Sequence, residues 1–306
     1  MGKLGIILDQ NIKDELKRLI IYQIDYALGC SQNDHLDIND KIHELRKSFK
    51  IIRSVLRLLR DSIGYSVYYR ENKSFRNLAR KLSNARDNEV LLQRAVVTQQ
   101  HMPTGLNNNA IEELIMIMTQ RRDNSLENLI TGENTFRTIA KELVKSKSKI
   151  KKLEINNEGF NVIEKGIKRI YKQSLQYLHA IEKDSDDHES LHNFRKRVKY
   201  LWFQMLILKP VYSTMIKAYG KTLEKISEEL GLHRDYILFM EKMAQNNYFN
   251  LEEPQILFIK EFIDNEQNKI YKKAIEPAKK FFIEKPSDFV EKLKKYRELT
   301  LIMTSN

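Results

Sequence analysis

Two histidines in this chain each open a row of cations at helical spacing. His43 is followed by Arg46, Lys50, Arg53 and Arg57, and His192 by Arg195 and Lys199. An α-helix turns about 100° and rises about 1.5 Å per residue, so the first row occupies a sector about 80° wide and about 21 Å long. Leu45, Ile52, Leu56 and Leu59 fall on the far side and are predicted to face the core. Cations at i, i+4, such as Arg46–Lys50 and Arg53–Arg57, cost a helix roughly 0.2–0.5 kcal/mol per pair. No acid is interleaved in the row to relieve them. Such a row suits a ligand that is itself a row of anions, with arginine able to grip phosphate through two nitrogens at once. The competing reading is an ordinary solvated helix face.

The rows belong to a longer internal repeat. D-I-N-D-K-I-H-E-L-R-K-S-F-K at 37–50 aligns with D-D-H-E-S-L-H-N-F-R-K-R-V-K at 186–199, an offset of 149 residues. Asp37 meets Asp186, His43 meets His192, Arg46 meets Arg195, Lys47 meets Lys196 and Lys50 meets Lys199. A second pair, L-A-R-K-L-S-N-A-R-D at 78–87 and I-S-E-E-L-G-L-H-R-D at 226–235, repeats at 148 and matches Arg86-Asp87 to Arg234-Asp235. Two matched segments in the same order predict two copies of one helical bundle, related by a pseudo-two-fold axis. The copies differ where Trp202 replaces the cation at Arg53 and Leu206 the one at Arg57. Arg76 and Arg80 extend the first half's cations, but their counterparts are Glu224 and Glu228. The anion path is therefore expected to lean toward the first half. Arg86, Lys196 and Arg234 join the candidate anion-binding set. In the two Arg-Asp pairs the aspartate could orient a cation, or the pair could touch ligand, and the sequence leaves both readings open.

Elements that would carry these rows are helices throughout. The 306 residues include only 10 Gly and 5 Pro, with 42% hydrophobic and 31% charged residues, a globular and helix-rich composition. Helical periodicity predicts helices at 9–29, 36–61, 72–99, 107–130, 134–146, 157–182, 187–209, 213–245, 253–275 and 286–299. Breaks are expected at Gly29-Cys30-Ser31, Gly64, Met102 to Gly105, Thr131-Gly132, Gly159, Pro210, Pro254 and Pro277. The segment at 63–69 reads as a connector despite its strand-like residues. The lysine-rich run at 145–152 reads as a link between halves or a solvated helix end. The expected organisation is thus an all-α chain of two halves, 1–150 and 151–306.

Lys and Arg number 53 against 41 acids, a formal charge of +12 that favours polyanionic partners. One cysteine, Cys30, excludes an intrachain disulfide and C-x-x-C metal motifs, and fits a reducing cytoplasm. The apolar run Leu4 to Leu8 is too short for a signal-peptide core, and Ile6 stands where a myristoylation motif needs Ser or Thr. Apolar residues around Leu201 to Leu208 fall far short of a membrane span. His188 to His192 matches H-E-x-x-H, but Asp186 and Glu189 look like a cap and its capping-box partner, and the repeat carries Asn39 at the position of His188. Zinc chemistry is not expected beside Arg195, Lys196, Arg197 and Lys199. No phosphate-binding glycine loop or nucleophile elbow occurs, so no catalytic residue, metal or cofactor is expected.

I-H-E-L-R-K-S-F-K-I-I-R at 42–53, L-A-R-K-L-S-N-A-R-D-N-E-V at 78–90, L-H-N-F-R-K-R-V-K-Y-L at 191–201 and E-E-L-G-L-H-R-D at 228–235 resemble the CHAD family, the conserved histidine α-helical domain. The resemblance runs over about residues 8–285. It implies two helical bundles in pseudo-two-fold arrangement and non-catalytic binding of inorganic polyphosphate on basic surfaces. It carries over His43, Arg46, Lys50, Arg53, Arg86, His192, Arg195 and Lys199 as phosphate contacts, and Trp202 departs from the pattern. The expected location is the cytoplasm, as the single cysteine suggests, with association with polyphosphate granules left open. Protonation of the histidines is expected to tighten binding below roughly pH 6.5. Nucleic acid is the second polyanion that the charge admits, but no aromatic platform is seen interleaved with the stripe. A phosphate-ester hydrolase and a scaffold for an acidic protein complete the alternatives.

Overall fold

The computed structural model describes residues 4–103, 109–131, 135–247 and 249–305. Among these the chain forms helices α1 (Ile12–Gln32), α2 (Ile38–Ile63), α3 (Tyr65–Lys81), α4 (Ser83–Gln100), α5 (Asn109–Thr131) and α6 (Thr135–Lys151). They are followed by α7 (Asn161–Lys183), α8 (His188–Leu208), a 3-10 turn at Lys209–Val211, α9 (Ser213–Gln245), α10 (Glu253–Phe281) and α11 (Pro286–Ser305). The described residues form no strand, as the periodicity predicts. Expected breaks at Thr104-Gly105 and Gly132, and the starts expected at 107 and 134, lie outside the described residues.

Several boundaries differ from expectation for local reasons. The break expected at Gly29-Cys30-Ser31 is absent, because Cys30 and Ser31 are buried and the Ser31 hydroxyl donates to the Leu28 carbonyl inside the helix (2.8 Å). Residues 65–69 are not a connector but the first turns of α3. Gly64 makes the whole turn at φ +81°, a conformation open to glycine at little cost. The helix expected over 72–99 is interrupted at Leu82 without any Gly or Pro. Leu82 is fully buried, and the Ser83 hydroxyl donates to the Arg80 carbonyl (2.7 Å). The break expected at Pro277 also fails, since α10 continues to Phe281. Lys273, whose carbonyl loses its helical donor to the proline, is exposed, where solvent satisfies such a group cheaply. The lysine-rich run closes α6, where Lys145 pairs with Glu142 and Lys147 with Asp25 (2.8 and 2.6 Å).

The main core runs through both halves of the sequence. Leu45, Ile52, Leu56 and Leu59 of α2, the stripe predicted to face inward, together with Phe49, meet Ile163, Ile167 and Ile170 of α7 and Phe194, Val198 and Leu201 of α8. At the α2–α7 crossing a Cβ on Gly166 would lie 2.5 Å from the Leu58 carbonyl oxygen and 2.7 Å from its Cα, so only glycine permits that approach. Buried hydroxyls of α2 add hydrogen bonds to both neighbours: Ser54 donates to the Tyr200 carbonyl of α8 and Ser62 to the Val162 carbonyl of α7, each at 3.0 Å.

A smaller core forms beyond it from Leu91 and Ala95 of α4, Ile111 and Leu114 of α5, Phe239 and Met243 of α9, and Ile259 and Ile263 of α10. Helix α9 spans both cores, with Leu223 and Leu230 in the first and Phe239 in the second. At the 148-residue offset α9 corresponds to α3 and α4 together, and Leu230 to the break at Leu82. The candidate cations lie where the two cores part.

Candidate functional site

Helices α2 and α8 each start at an aspartate cap, one residue apart in the register of the repeat. Asp37 caps α2 by accepting from the Asn39 and Asp40 amides (2.8 and 3.4 Å). In α8 the cap is Asp187, which accepts from the Ser190 amide at 2.9 Å, and not Asp186 with a Glu189 capping box. His188 therefore stands at the first position of the helix. No group of three or more His, Cys, Asp or Glu is placed to hold a metal among the described residues.

Capped in this way, α2 and α8 pack on each other and aim their basic rows into one cleft of about 590 Å³. Helix α2 supplies His43, Arg46, Lys47 and Lys50, and α8 supplies His192, Arg195 and Lys199. The far wall is built from α4, with Arg86, Asp87 and Val90, and from α9, with Glu228, Arg234, Asp235 and Leu238. Trp202 and Phe203 close one end, with their rings stacked at 4.7 Å. Seven lining lysines and arginines (Arg46, Lys47, Lys50, Arg86, Arg195, Lys199 and Arg234) thus face three carboxylates, Asp87, Glu228 and Asp235.

The excess positive charge is strained by burial. Lys50 is pushed down to about 7 by burial first, then by repulsion from Lys199, Arg46, Arg195 and Arg86. Lys199 falls only to about 8, because Glu228, Asp235 and Glu224 support its charge against burial and Arg195. Neither ammonium has a salt bridge among the described residues; Lys199 lies 5.6 Å from the Trp202 ring. Burial also lowers Arg46 and Arg195. The attraction opposing it comes from Asp87 on Arg46 and from Asp235 on Arg195. These are repeat-equivalent pairs, so in each half the aspartate of the Arg-Asp motif favours the charge of the first arginine of the row. Burial raises both aspartates toward the neutral form, and their neighbouring arginines resist it.

The two arginines of those motifs differ. Arg234 is held by both oxygens of Glu241 (3.1 and 3.4 Å) at the rim, while Arg86 faces the cleft with no such partner among the described residues. Arg195 packs against Gly231, where a Cβ would come within 3.3 Å of its Nη2. Its Nε is buried without a partner, as is Nδ1 of His192. His192 is pushed down to about 4 by burial, then by Lys196, Arg234 and Arg195, so its charging lies well below the pH 6.5 expected of a free histidine. His43 is also lowered, by burial first, but its side chain is 58% exposed.

Part of the first row is diverted from the cleft. Arg53 donates to the Asn72 side chain on α3 (3.1 Å). Arg57 lies over the Tyr200 ring, 3.7 Å from its centroid, and donates to the Arg53 carbonyl (2.7 Å). Lys196 donates to Asn193 (3.4 Å) beside the same tyrosine. Arg76 and Arg80 sit on α3, outside the cleft lining. Sequence reasoning did not single out Lys47 or Glu228 as cleft residues. Lys47 could have been found from its one-residue step off Arg46, and Glu228 from its place across from Arg80 in the repeat.

A family model for the CHAD domain matches residues 28–244. The crystal structure of the CHAD domain from the plant Ricinus communis superposes with a TM-score of 0.57 at 17% identity, over 97% of this chain and 94% of that one. No curated protein sequence matches the chain. No helix among the described residues is long and apolar enough to cross a membrane. The family match spans both halves of the cleft, from the row on α2 to the Arg-Asp pair on α9, and the chain belongs to the CHAD domain family.

Proposed function

We propose that the cleft between α2, α4, α8 and α9 binds inorganic polyphosphate without transforming it. One observation carries the reading: Lys50 and Lys199 stand half-buried in one cleft beside Arg195, and neither has a salt-bridge partner among the described residues. Burying unpaired cations is costly, and a bound polyanion removes that cost. Phosphate oxygens accept from lysine as from a point charge and from Arg195 or Arg86 through two nitrogens. The cleft opens on both rows, so a linear chain can lie along it and meet α2 and α8 in turn. A compact single phosphate would leave most of these cations uncovered.

The test is a titration of long-chain polyphosphate into the wild type and Lys50→Ala/Lys199→Ala at two salt concentrations. Binding should weaken with salt, with log K falling by roughly 0.7 per phosphate contact for each unit of log salt, by analogy with single strands. It should weaken further in the variant. Release of free phosphate with an added divalent metal would instead indicate a hydrolase. Equal binding of a poly-glutamate peptide would indicate an acidic protein partner. Salt-insensitive binding, or an unchanged variant, would sink the proposal.

A further inference from the structure

The corner where α2 turns into α3 carries aromatic rings and cations together, away from the cleft. Tyr65 and Tyr69, one helical turn apart at the start of α3, are 60% and 46% exposed, with ring centroids 6.1 Å apart. Tyr68 stands beside Tyr65 at 6.2 Å. The Arg60 guanidinium lies 4.9 Å from the Tyr65 centroid and 5.7 Å from that of Tyr68, and Lys73 lies 5.8 Å from that of Tyr69. Each of the two outer rings is therefore backed by a cation and exposed to solvent.

The nearby acids add little opposing charge. Asp61 is tied to Arg169, and Glu71, 1% exposed, accepts from Arg70 at 2.7 Å. The positive end of α3 adds to the same surface. Gly64 precedes it and offers no side-chain cap, so first-turn amides at Ser66 and Val67 have no side-chain acceptor from the cap residue.

We propose that this corner is a stacking site for single-stranded nucleic acid, separate from the polyphosphate cleft. Exposed tyrosine faces attract bases, which have π faces of their own, while Arg60 and Lys73 meet the backbone phosphates. Polyphosphate has no face to stack, and an acidic peptide uses the cations but gains little from two open rings. Rings and cations at one corner thus favour a ligand that offers bases and phosphates together. The inference stands independently of the reading of the cleft, since Tyr65, Tyr69, Arg60 and Lys73 are all absent from the cleft lining.

Fluorescence anisotropy with a labelled single-stranded oligouridine tests it. Tyr65→Ala/Tyr69→Ala should weaken binding about ten-fold or more. Tyr65→Phe/Tyr69→Phe should remain within about two-fold, because the ring faces survive. Lys50→Ala/Lys199→Ala should keep most oligouridine binding while changing the cleft. Both tyrosines are exposed, so loss of fold does not confuse the result. The proposal is overturned if oligouridine does not bind the wild type, or if the alanine pair binds as the wild type does. It is equally overturned if poly-glutamate binds as tightly as the oligonucleotide and suffers the same loss in the alanine pair, which would assign the corner to an acidic protein.

Discussion

Lys50 of α2 and Lys199 of α8 face the same cleft, and after burial Lys199 is the strongest influence holding Lys50 down to about 7. They are equivalent residues of the repeat, 149 positions apart. Two helices of like sequence, packed side by side, have brought like charges together in a partly dry place. Nothing in folding rewards that contact. The compensation is expected from outside, in the form of an anion.

This relationship fixes a pH dependence. Lys50 and Lys199 titrate at about 7 and about 8 in the folded protein, below the ordinary 10.5. A bound polyanion restores their charge, so binding above neutral pH takes up protons. Affinity for polyphosphate should therefore fall as pH rises through 7 to 9, by about ten-fold or more at constant ionic strength. The stability of the free protein moves the other way. The unfolded chain binds more protons across roughly pH 7 to 10, so these two groups make folding more favourable as pH rises through that window. Calorimetric titration and thermal melts at matched pH values check both signs. Lys50→Met/Lys199→Met should flatten both curves and raise Tm at neutral pH by about 2 °C or more. A wild-type affinity flat from pH 7 to 9 would contradict this account.

Much of this site was legible in the sequence, because a helix fixes which side chains share a face. His43, Arg46 and Lys50, and His192, Arg195 and Lys199, enter the cleft as their spacing implied. Spacing does not say what covers each end of a face. The α2 row is about four turns long, and α3 and α8 pack over its second half, so Arg53 finds Asn72 and Arg57 finds Tyr200. The break at Leu82 and the continuation through Pro277 were not legible for a related reason. Tertiary burial decided the first, and the second falls where Lys273, the residue four before the proline, is exposed. The tyrosine corner was hidden because residues 63–69 have strand-like side chains, while the turn at Gly64 and packing on α2 make them helix.

Gly231 offers a cleaner perturbation than any charged residue. It sits inside α9, where alanine usually stabilises a helix by roughly 0.5–1 kcal/mol. The added methyl would lie 3.3 Å from Nη2 of Arg195, close enough to move the guanidinium by a few tenths of an ångström. Gly231→Ala should therefore keep or raise Tm while weakening polyphosphate binding by roughly three-fold or more, a loss of about 0.6 kcal/mol. Paired melting and binding curves decide it. Unchanged affinity would mean that Arg195 does not contact the ligand.

Arg57 tests the division of the first row into a ligand-binding part and a packing part. Its guanidinium covers Tyr200, which is only 8% exposed and whose phenol is lowered by Arg57 and Arg53 against the effect of burial. A close, largely desolvated cation–π contact contributes about 1–2 kcal/mol. Arg57→Ala should thus lower stability by about that amount in denaturant titrations while leaving affinity for short polyphosphate chains within about two-fold. A variant that is fully stable but binds much more weakly would return Arg57 to the ligand site.

The cleft depends on a contact that carries no charge. Gly166 lets α7 approach the backbone of α2 at Arg57 and Leu58, and Arg169, one turn later, donates to the Arg57 carbonyl at 2.9 Å. A methyl at Gly166 would meet Leu58 backbone atoms at 2.5 and 2.7 Å, and backbone cannot swing aside as a side chain can. The helices must then separate. Gly166→Ala should cost about 1–3 kcal/mol despite the better helix propensity of alanine. Because α2 also packs on α8, the shift should reach the facing rows, so polyphosphate affinity should fall even at temperatures where the variant is fully folded. Chemical denaturation gives the first quantity and titration well below the Tm gives the second. A stable variant with unchanged affinity would show that the α2–α7 seam adjusts without moving the cleft.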